Sequence, residues 1–406
     1  MIRFMTTTTA LTLCLAAPVT SQETHQWGEK NANFEPAFEN QTRAALEASD
    51  YSYQYQEIAS GLEHPWAVAE LPNGEGLLVT ERPGRLVHVT LDGTVSDPIS
   101  GLPDIFNQSA GNSTQAGLLD VKLGPDFGTD RMVYFTYAKG TGDGMSVTAA
   151  GRGKLSENLS EMTNVEDIFV QTPPSPAAMH YGSRIVFDGN GHAFITTGEH
   201  FTDEERKKAQ ELNNTYGKIV RVNLDGSIPD DNPFVGQDKA QPSIWSYGHR
   251  NVQGAAMRGD QLFTVEHGPA GGDEINIPKP GLNYGWPVVS YGVRYDGDEI
   301  GTGRAQAEGM SEPAYYWDPV IAPGDMIFYE GELMADWQGN SLVTGLVSPG
   351  VVRLEWEGDR VSAEERVFTE YGRVRDIEEL SDGSLILATD YEDGAFIHVT
   401  LGGSDS

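Results

Sequence analysis

Residues 70–93 read ELPNGEGLLVTERPGRLVHVTLDG, and this stretch decides the fold. A Pro-Asn-Gly turn is followed by the apolar run Leu77–Thr80. A second turn, Arg82-Pro83-Gly84-Arg85, then leads into the alternating run Leu86–Val89. Turn, β-rich run, turn and returning run describe an antiparallel hairpin. Five further stretches repeat the theme: GPDFGTDRMVYFTYA (124–138), FDGNGHAFITTGEH with GKIVRVNLDG (187–226), RGDQLFTVEH (258–267), WQGNSLVTGLVSPGVVRLE (337–355) and LSDGSLILATDYEDGAFIHVT (380–400). One small sheet cannot bury both of its faces, whereas sheets set radially cover each other and leave only short edges. Six imperfect copies at uneven spacing therefore predict an all-β fold, a six-bladed β-propeller of four-stranded antiparallel sheets. Two β-sandwiches are the competing arrangement.

On the N-terminal side, the first copy is preceded by two segments of different character. Met1 to Ser21 carries Arg3, an apolar stretch around Ala10–Pro18 and small residues before Gln22, which reads as a secretory signal peptide and a periplasmic or secreted product. Lipid anchoring through Cys14 is disfavoured by the bulk of Leu13. Residues 22–52 are a polar leader, either mobile or packed on the surface, with a helix-compatible stretch near Thr42–Ala48. The propeller domain is expected over 53–402. No run approaches the roughly 20 apolar residues of a membrane span. Cys14 is the single cysteine, so the mature chain has neither a disulfide nor a thiolate ligand. The best helix signal elsewhere is Thr202–Leu212.

The chain has 60 acidic against 27 basic residues and a formal charge of −33. Such a field repels nucleic acid and anionic lipid, which excludes a nucleic-acid role.

Chemistry-bearing residues crowd into WSYGHRNVQG (245–254) and VEHGPAGGDEINIPKPGLNYGWP (265–287), which lack a strand or helix period. Asp273 and Glu274 bring carboxylate oxygens into a glycine-rich loop able to turn carbonyls inward, the mixture Ca²⁺ prefers. A solvated acidic turn is the plainer alternative. His180, in AAMHYGSRIVF, stands where an innermost strand would begin and is able to take a proton near neutral pH. Arg250, Arg373 and Arg375 together suit an anionic cofactor. The nine histidines show no zinc spacing.

Eight stretches in order carry a resemblance spanning Gly61 to Thr400: GLEHPWAVAELPNG, QAGLLDVKLGPDF, HYGSRIVFDGNGHAFITTGE, YGKIVRVNLDGSIPDDNPF, WSYGHRNVQG, EHGPAGGDEINIPKPGLNYGWP, YYWDPVIAPGDMIFY and GRVRDIEELSDGSL. They resemble the glucose/sorbosone dehydrogenase family, the soluble quinoprotein aldose sugar dehydrogenases. The resemblance implies a six-bladed propeller that uses pyrroloquinoline quinone (PQQ) and Ca²⁺ to oxidise an aldose at C1 to the lactone, with electrons leaving to an external acceptor. His180 then corresponds to the general base. Arg250 polarises the quinone oxygen, with Asn251 beside it and Gln115 lining the same pocket. The carbonyls of Gly268 and Pro269 hold the catalytic Ca²⁺, Arg373 and Arg375 contact the cofactor, and Trp317 lines the sugar entrance. Asp273, Glu274 and the carbonyl of Tyr284 correspond to ligands of a second, structural Ca²⁺. The expected assembly is a monomer or homodimer.

Three positions depart from the glucose-oxidising members. Val347, in SLVTGLVSPG, replaces a lysine that gives the quinone a cation; Met179 replaces an aspartate, and His267 a glutamine. The competing readings are a non-catalytic carbohydrate- or protein-binding propeller and a Ca²⁺-dependent lactonase-like hydrolase.

Overall fold

The computed structural model describes residues 28–107 and 115–402, so the signal segment lies outside the described residues. Six sheets follow one another along the chain. Blade 1 is Pro65–Leu71, Gly76–Glu81 and Arg85–Val89. Blade 2 is Leu118–Leu123, Met132–Gly142, Met145–Leu155 and Met162–Val170. Blade 3 is Gly182–Phe187, His192–Thr197, Lys218–Asn223 and Ile244–Tyr247. Blade 4 is Val252–Arg258, Gln261–Glu266, Asp273–Asn276 and Tyr315–Trp317. Blade 5 is Pro323–Phe328, Ser341–Gly345, Val351–Glu357 and Arg360–Val367. Blade 6 takes Val374–Glu379, Leu385–Thr389 and Gly394–Leu401 from the C-terminal end and Tyr53–Leu62 from the N-terminal end. The first strands of the six blades touch one another in a closed ring.

The alternating pattern explains why the blades stack. Leu385 and Leu387 point into a cluster shared with blade 5, whereas Ile386 and Ala388 point into one shared with blade 1. Period-2 alternation thus gives each sheet two apolar faces, one for each neighbour. Every blade-to-blade interface has its own buried cluster of this kind.

On the axis, Arg184 touches all six blades. Its Nη1 donates to Asp120 Oδ1 and Asp376 Oδ1, both at 2.9 Å. Its Nε donates to the Gln253 carbonyl (3.0 Å) and pairs with Asp325 Oδ1 (3.1 Å), and its Nη2 donates to the Gly324 carbonyl (3.1 Å). The guanidinium lies 4.6 Å from the Trp66 ring centroid of blade 1.

All six first-to-second strand pairings shift register near the start of the first strand. Bulges bend a strand and re-aim its side chains. The candidate catalytic residues gather at this bulged end of the ring.

Some expectations are corrected in detail. Blade 1 has three strands rather than four, and blade 5 gains a fifth. That fifth strand, Ala45–Leu46, pairs in parallel with Ala363 and Glu364, where a helix-compatible stretch had been read. The open edge of blade 5 and burial of Ala44 beside the Tyr315 hydroxyl (3.0 Å) outweigh helix propensity there. The leader from Gly28 onward is the surface-packed arm: the amides of Asn31 and Ala32 donate to Asp318 at 2.7 and 2.9 Å. The helix expected over Thr202–Leu212 is a 3₁₀ segment, Arg206–Gln210. Buried Lys218 donates from Nζ to the carbonyls of Lys208, Ala209 and Tyr216, tying down the turn that a longer helix would need free.

Candidate active site

His180 precedes the first strand of blade 3 with φ of 48°, a left-handed backbone that aims its ring across the bulge. The next strand ends at Gly198, where an added Cβ would lie 1.8 Å from the His180 carbonyl oxygen. Only glycine lets the two segments approach so closely. That approach puts Glu199 beside the histidine: Oε1 is 3.2 Å from His180 Nδ1, and Oε2 accepts the Phe201 amide. Phe201 packs edge-on against the imidazole, with centroids 5.1 Å apart. The His180 amide donates to Gln115 Oε1 at 2.7 Å. Burial and the Arg250 charge hold the imidazole below the ordinary histidine range, against the opposing pull of Glu199.

Two cavities flank this pair. The larger, about 480 Å³, is lined by Phe201, Arg206, Arg250, Trp286, Tyr295 and Pro269, among others. The smaller, about 240 Å³, is lined by Trp66, Arg82, Gln115, Asn251, Arg373 and Arg375 with their neighbours. His180 is only 4% exposed and stands at the partition, holding Gln115 on one side and Phe201 on the other.

Arg250 lines the larger cavity, and the next residue, Asn251, lines the smaller one. The Arg250 amide donates to Glu266 Oε2 (2.6 Å), its Nη1 to the His267 carbonyl (3.1 Å), and its Nη2 to the Tyr295 hydroxyl (3.3 Å). Among the described residues its buried Nε has no partner, and neither has that of Arg375. Glu266 also accepts from His249 Nδ1 (2.9 Å), which fixes the His-Arg-Asn run behind the site. Asn251 Oδ1 accepts the Gly182 amide at 3.0 Å. In the smaller cavity, Asp390 pairs with Arg373 (2.8 Å), Arg375 (3.1 Å) and His64 (2.9 Å). Burial would raise its carboxyl, but Arg375, His64 and Arg373 together hold it well below the usual range. His267 donates from Nε2 to the Pro323 carbonyl (2.8 Å), and burial keeps it neutral.

A third cavity, about 20 Å³, is lined by Gly268, Pro269, Glu266, Glu274 and Tyr284 with adjoining residues. Burial, then the charge of Glu266, pushes the Glu274 carboxyl well above its usual value. Two acids repelling each other, Glu266 buried and Glu274 half-buried, suit a cation.

The structure therefore brings together His180, Gln115, Arg250, Asn251, Arg373 and Arg375, and gathers Gly268, Pro269, Glu274 and Tyr284 close by. Two expected residues are placed elsewhere. Asp273 turns both oxygens onto backbone amides, of Gly268 (2.7 Å), Ile321 (2.8 Å) and Ala322 (2.6 Å), so it shapes the loop instead of facing the cation-sized cavity. Trp317 is buried between blades 4 and 5 and donates to Glu364 Oε1 at 3.3 Å. An indole on a blade's outermost strand packs into the blade interface, and Trp286 is the tryptophan that walls the larger cavity. Glu199 was not singled out from the sequence; its signal was an acid directly after a strand-ending glycine. Among the described residues, no helix is long and apolar enough to cross a membrane.

Residues 62–398 match the family model described as Glucose / Sorbosone dehydrogenase. The chain is 39% identical to the aldose sugar dehydrogenase YliI of Escherichia coli over 361 residues, 88% of this chain and 95% of that protein. The crystal structure of the soluble aldose sugar dehydrogenase from Escherichia coli in the apo form superposes with a TM-score of 0.81 at 39% identity, covering 86% of this chain and 99% of that one. The PQQ-bound aldose sugar dehydrogenase from Streptomyces coelicolor gives 0.70 at 26% identity, covering 87% and 100%. A closed ring of six sheets, a histidine–glutamate pair at its bulged end and these likenesses lead to one assignment: the chain belongs to the glucose/sorbosone dehydrogenase family of oxidoreductases.

Proposed function

We propose that the protein oxidises an aldose at C1 to the lactone with PQQ and Ca²⁺, passing the electrons to an external acceptor. The observation that carries this reading is the His180–Glu199 pair, joined through Gln115 to the smaller cavity and through Phe201 to the roomier one. The smaller cavity fits PQQ, a planar tricarboxylate. Arg82, Arg373 and Arg375 face it with Asp390 as counter-charge, and the buried Nε of Arg375 lacks a partner among the described residues. Bound there, PQQ would supply the hydride acceptor for the sugar's C1.

The protein's own groups do the rest. Glu199 accepts the Nδ1 hydrogen of His180, which leaves Nε2 as the basic nitrogen that takes the C1 hydroxyl proton. Arg250 places a cation, anchored at its amide by Glu266, where negative charge develops. Phe201 packs edge-on against the His180 ring, and Trp286 walls the larger cavity beside it. The carbonyls of Gly268 and Pro269 would hold the Ca²⁺ near Arg250, and Glu274 with the Tyr284 carbonyl would hold a second ion, joined by Glu266. Asp273 positions the Gly268 loop through its three amide bonds. The deciding experiment is dye reduction by metal-stripped mature protein with a panel of aldoses, adding Ca²⁺ and PQQ together and separately. Activity requiring both supports the proposal, whereas sugar- or lactone-directed activity without quinone overturns it.

Glu199→Gln separates positioning from general damage. The carboxylate raises the His180 pKa, so its loss should move the acid limb of the kcat profile to lower pH. At the same time kcat should fall about 10- to 100-fold. A fall in kcat with the acid limb unmoved would remove Glu199 from the proton path.

Ca²⁺ about a hundredfold above its Kd is expected to raise the Tm of stripped protein by about 5 °C. Because the folded pKa of Glu274 is raised, its ionised form is the destabilised one. Stripped protein should therefore gain stability from this group as pH falls from neutral toward 4.5. Glu274→Gln should weaken both the Ca²⁺ response and that pH dependence, as followed by calorimetry.

A further inference from the structure

We infer that Arg82 is a cofactor-binding residue, supplying a cation to a carboxylate of the quinone. The inference rests on the PQQ reading above.

Arg82 ends the hairpin strand of blade 1 and lines the smaller cavity with Gln115, Arg373 and Arg375. Its backbone is fully used, the amide donating to the His64 carbonyl (3.0 Å) and the carbonyl accepting the Leu118 amide (3.0 Å). The side chain is different. Among the described residues it has no hydrogen bond or ion pair, although it is half-buried. The other two arginines share Asp390 and also reach the Leu346 carbonyl and Gln253 Oε1. Three guanidiniums thus face one carboxylate, and that carboxylate is already bound to two of them and to His64. Arg82 is close enough to Arg375 to disfavour its charge. Like charges held together at a cavity wall, one of them without a partner, form a receptor for a polyanion.

Val347 itself is 65% exposed on the loop after Leu346, and it carries no charge into the cavity. The cavity is nonetheless not short of cations, because Arg82 supplies one close to Arg375.

The test is equilibrium binding of PQQ to Ca²⁺-loaded protein, read by quenching of tryptophan fluorescence, since Trp66 lines the same cavity. Arg82→Met should weaken Kd about tenfold, the size of one charge-assisted contact, and Arg82→Lys by much less. With the trimethyl ester of PQQ, whose carboxylates are masked, wild type and Arg82→Met should bind alike. Equal affinity of wild type and Arg82→Met for the free acid would overturn the inference while leaving the proposed function standing. Failure of the wild type to bind PQQ would overturn both. Because the Arg82 side chain makes no internal bond, an unchanged Tm is expected for both variants. If Arg82→Met fails to fold, Arg82→Gln is read by the same criterion.

Discussion

His180→Asn is expected to lower kcat for aldose oxidation about 10²- to 10⁴-fold, the usual contribution of a general base, while PQQ affinity stays within about twofold. Asparagine is the informative replacement because position 180 has φ of 48°, and asparagine tolerates that region better than alanine. A variant that folds normally and binds quinone but does not turn over isolates the base. The wild-type pH profile is a second measure of the same group. Only the neutral imidazole accepts a proton, and burial with the Arg250 charge holds its pKa below the ordinary value of about 6.5. Activity should therefore persist to lower pH than a solvent-exposed histidine would allow, then fall as the ring protonates. Retention of more than about a tenth of the wild-type kcat in His180→Asn would assign the proton to another group.

The largest effect on stability is expected at Arg184. Replacement by methionine leaves Asp120, Asp325 and Asp376 buried around an uncharged side chain, and removing one partner of a buried ion pair costs about 3–5 kcal/mol. Burial already pushes the Asp120 and Asp325 carboxyls up, even with Arg184 present. Without the guanidinium they rise further, so the ionised forms become the costly ones and the variant should recover stability as pH is lowered toward their unfolded values. Denaturant unfolding at two pH values measures this directly. A loss under about 1 kcal/mol, or one independent of pH, would show that Arg184 is not the electrostatic centre of the ring. Lost quinone binding in the same variant would have a simple path: Gln253 gives its carbonyl to Arg184 and its side-chain oxygen to Arg375 (2.9 Å).

The fold was legible because period-2 runs between glycine-rich turns recur six times, and alternation is a local property of the chain. The site was legible through motifs that lie in single loops, such as HRN at 249–251 and HGP at 267–269. What escaped reading is nonlocal. Arg184 sits in an apolar strand, and its three carboxylates lie 64, 141 and 192 positions away, on blades 2, 5 and 6. Glu199 looks like one more acid in an acidic chain until Gly198 brings it against His180. Arg82 reads as a turn residue, and only ring closure turns it toward Arg375. Trp317 is the converse case: the family resemblance implies a wall of the sugar entrance, but its strand is the outermost of its blade and its ring is buried in the blade interface.

Blade 6 is closed by Tyr53–Leu62, made first, against Gly394–Leu401, made last. The smaller cavity draws Trp66 and Arg82 from the start of the chain and Arg373, Arg375 and Asp390 from near its end. Contacts of such long sequence separation form late and slowly. A chain still lacking its last blade therefore lacks this cavity, however many other blades have already formed. Any ligand of the cavity, the proposed quinone included, is consequently bound only after synthesis is complete, and the ring has to close without it.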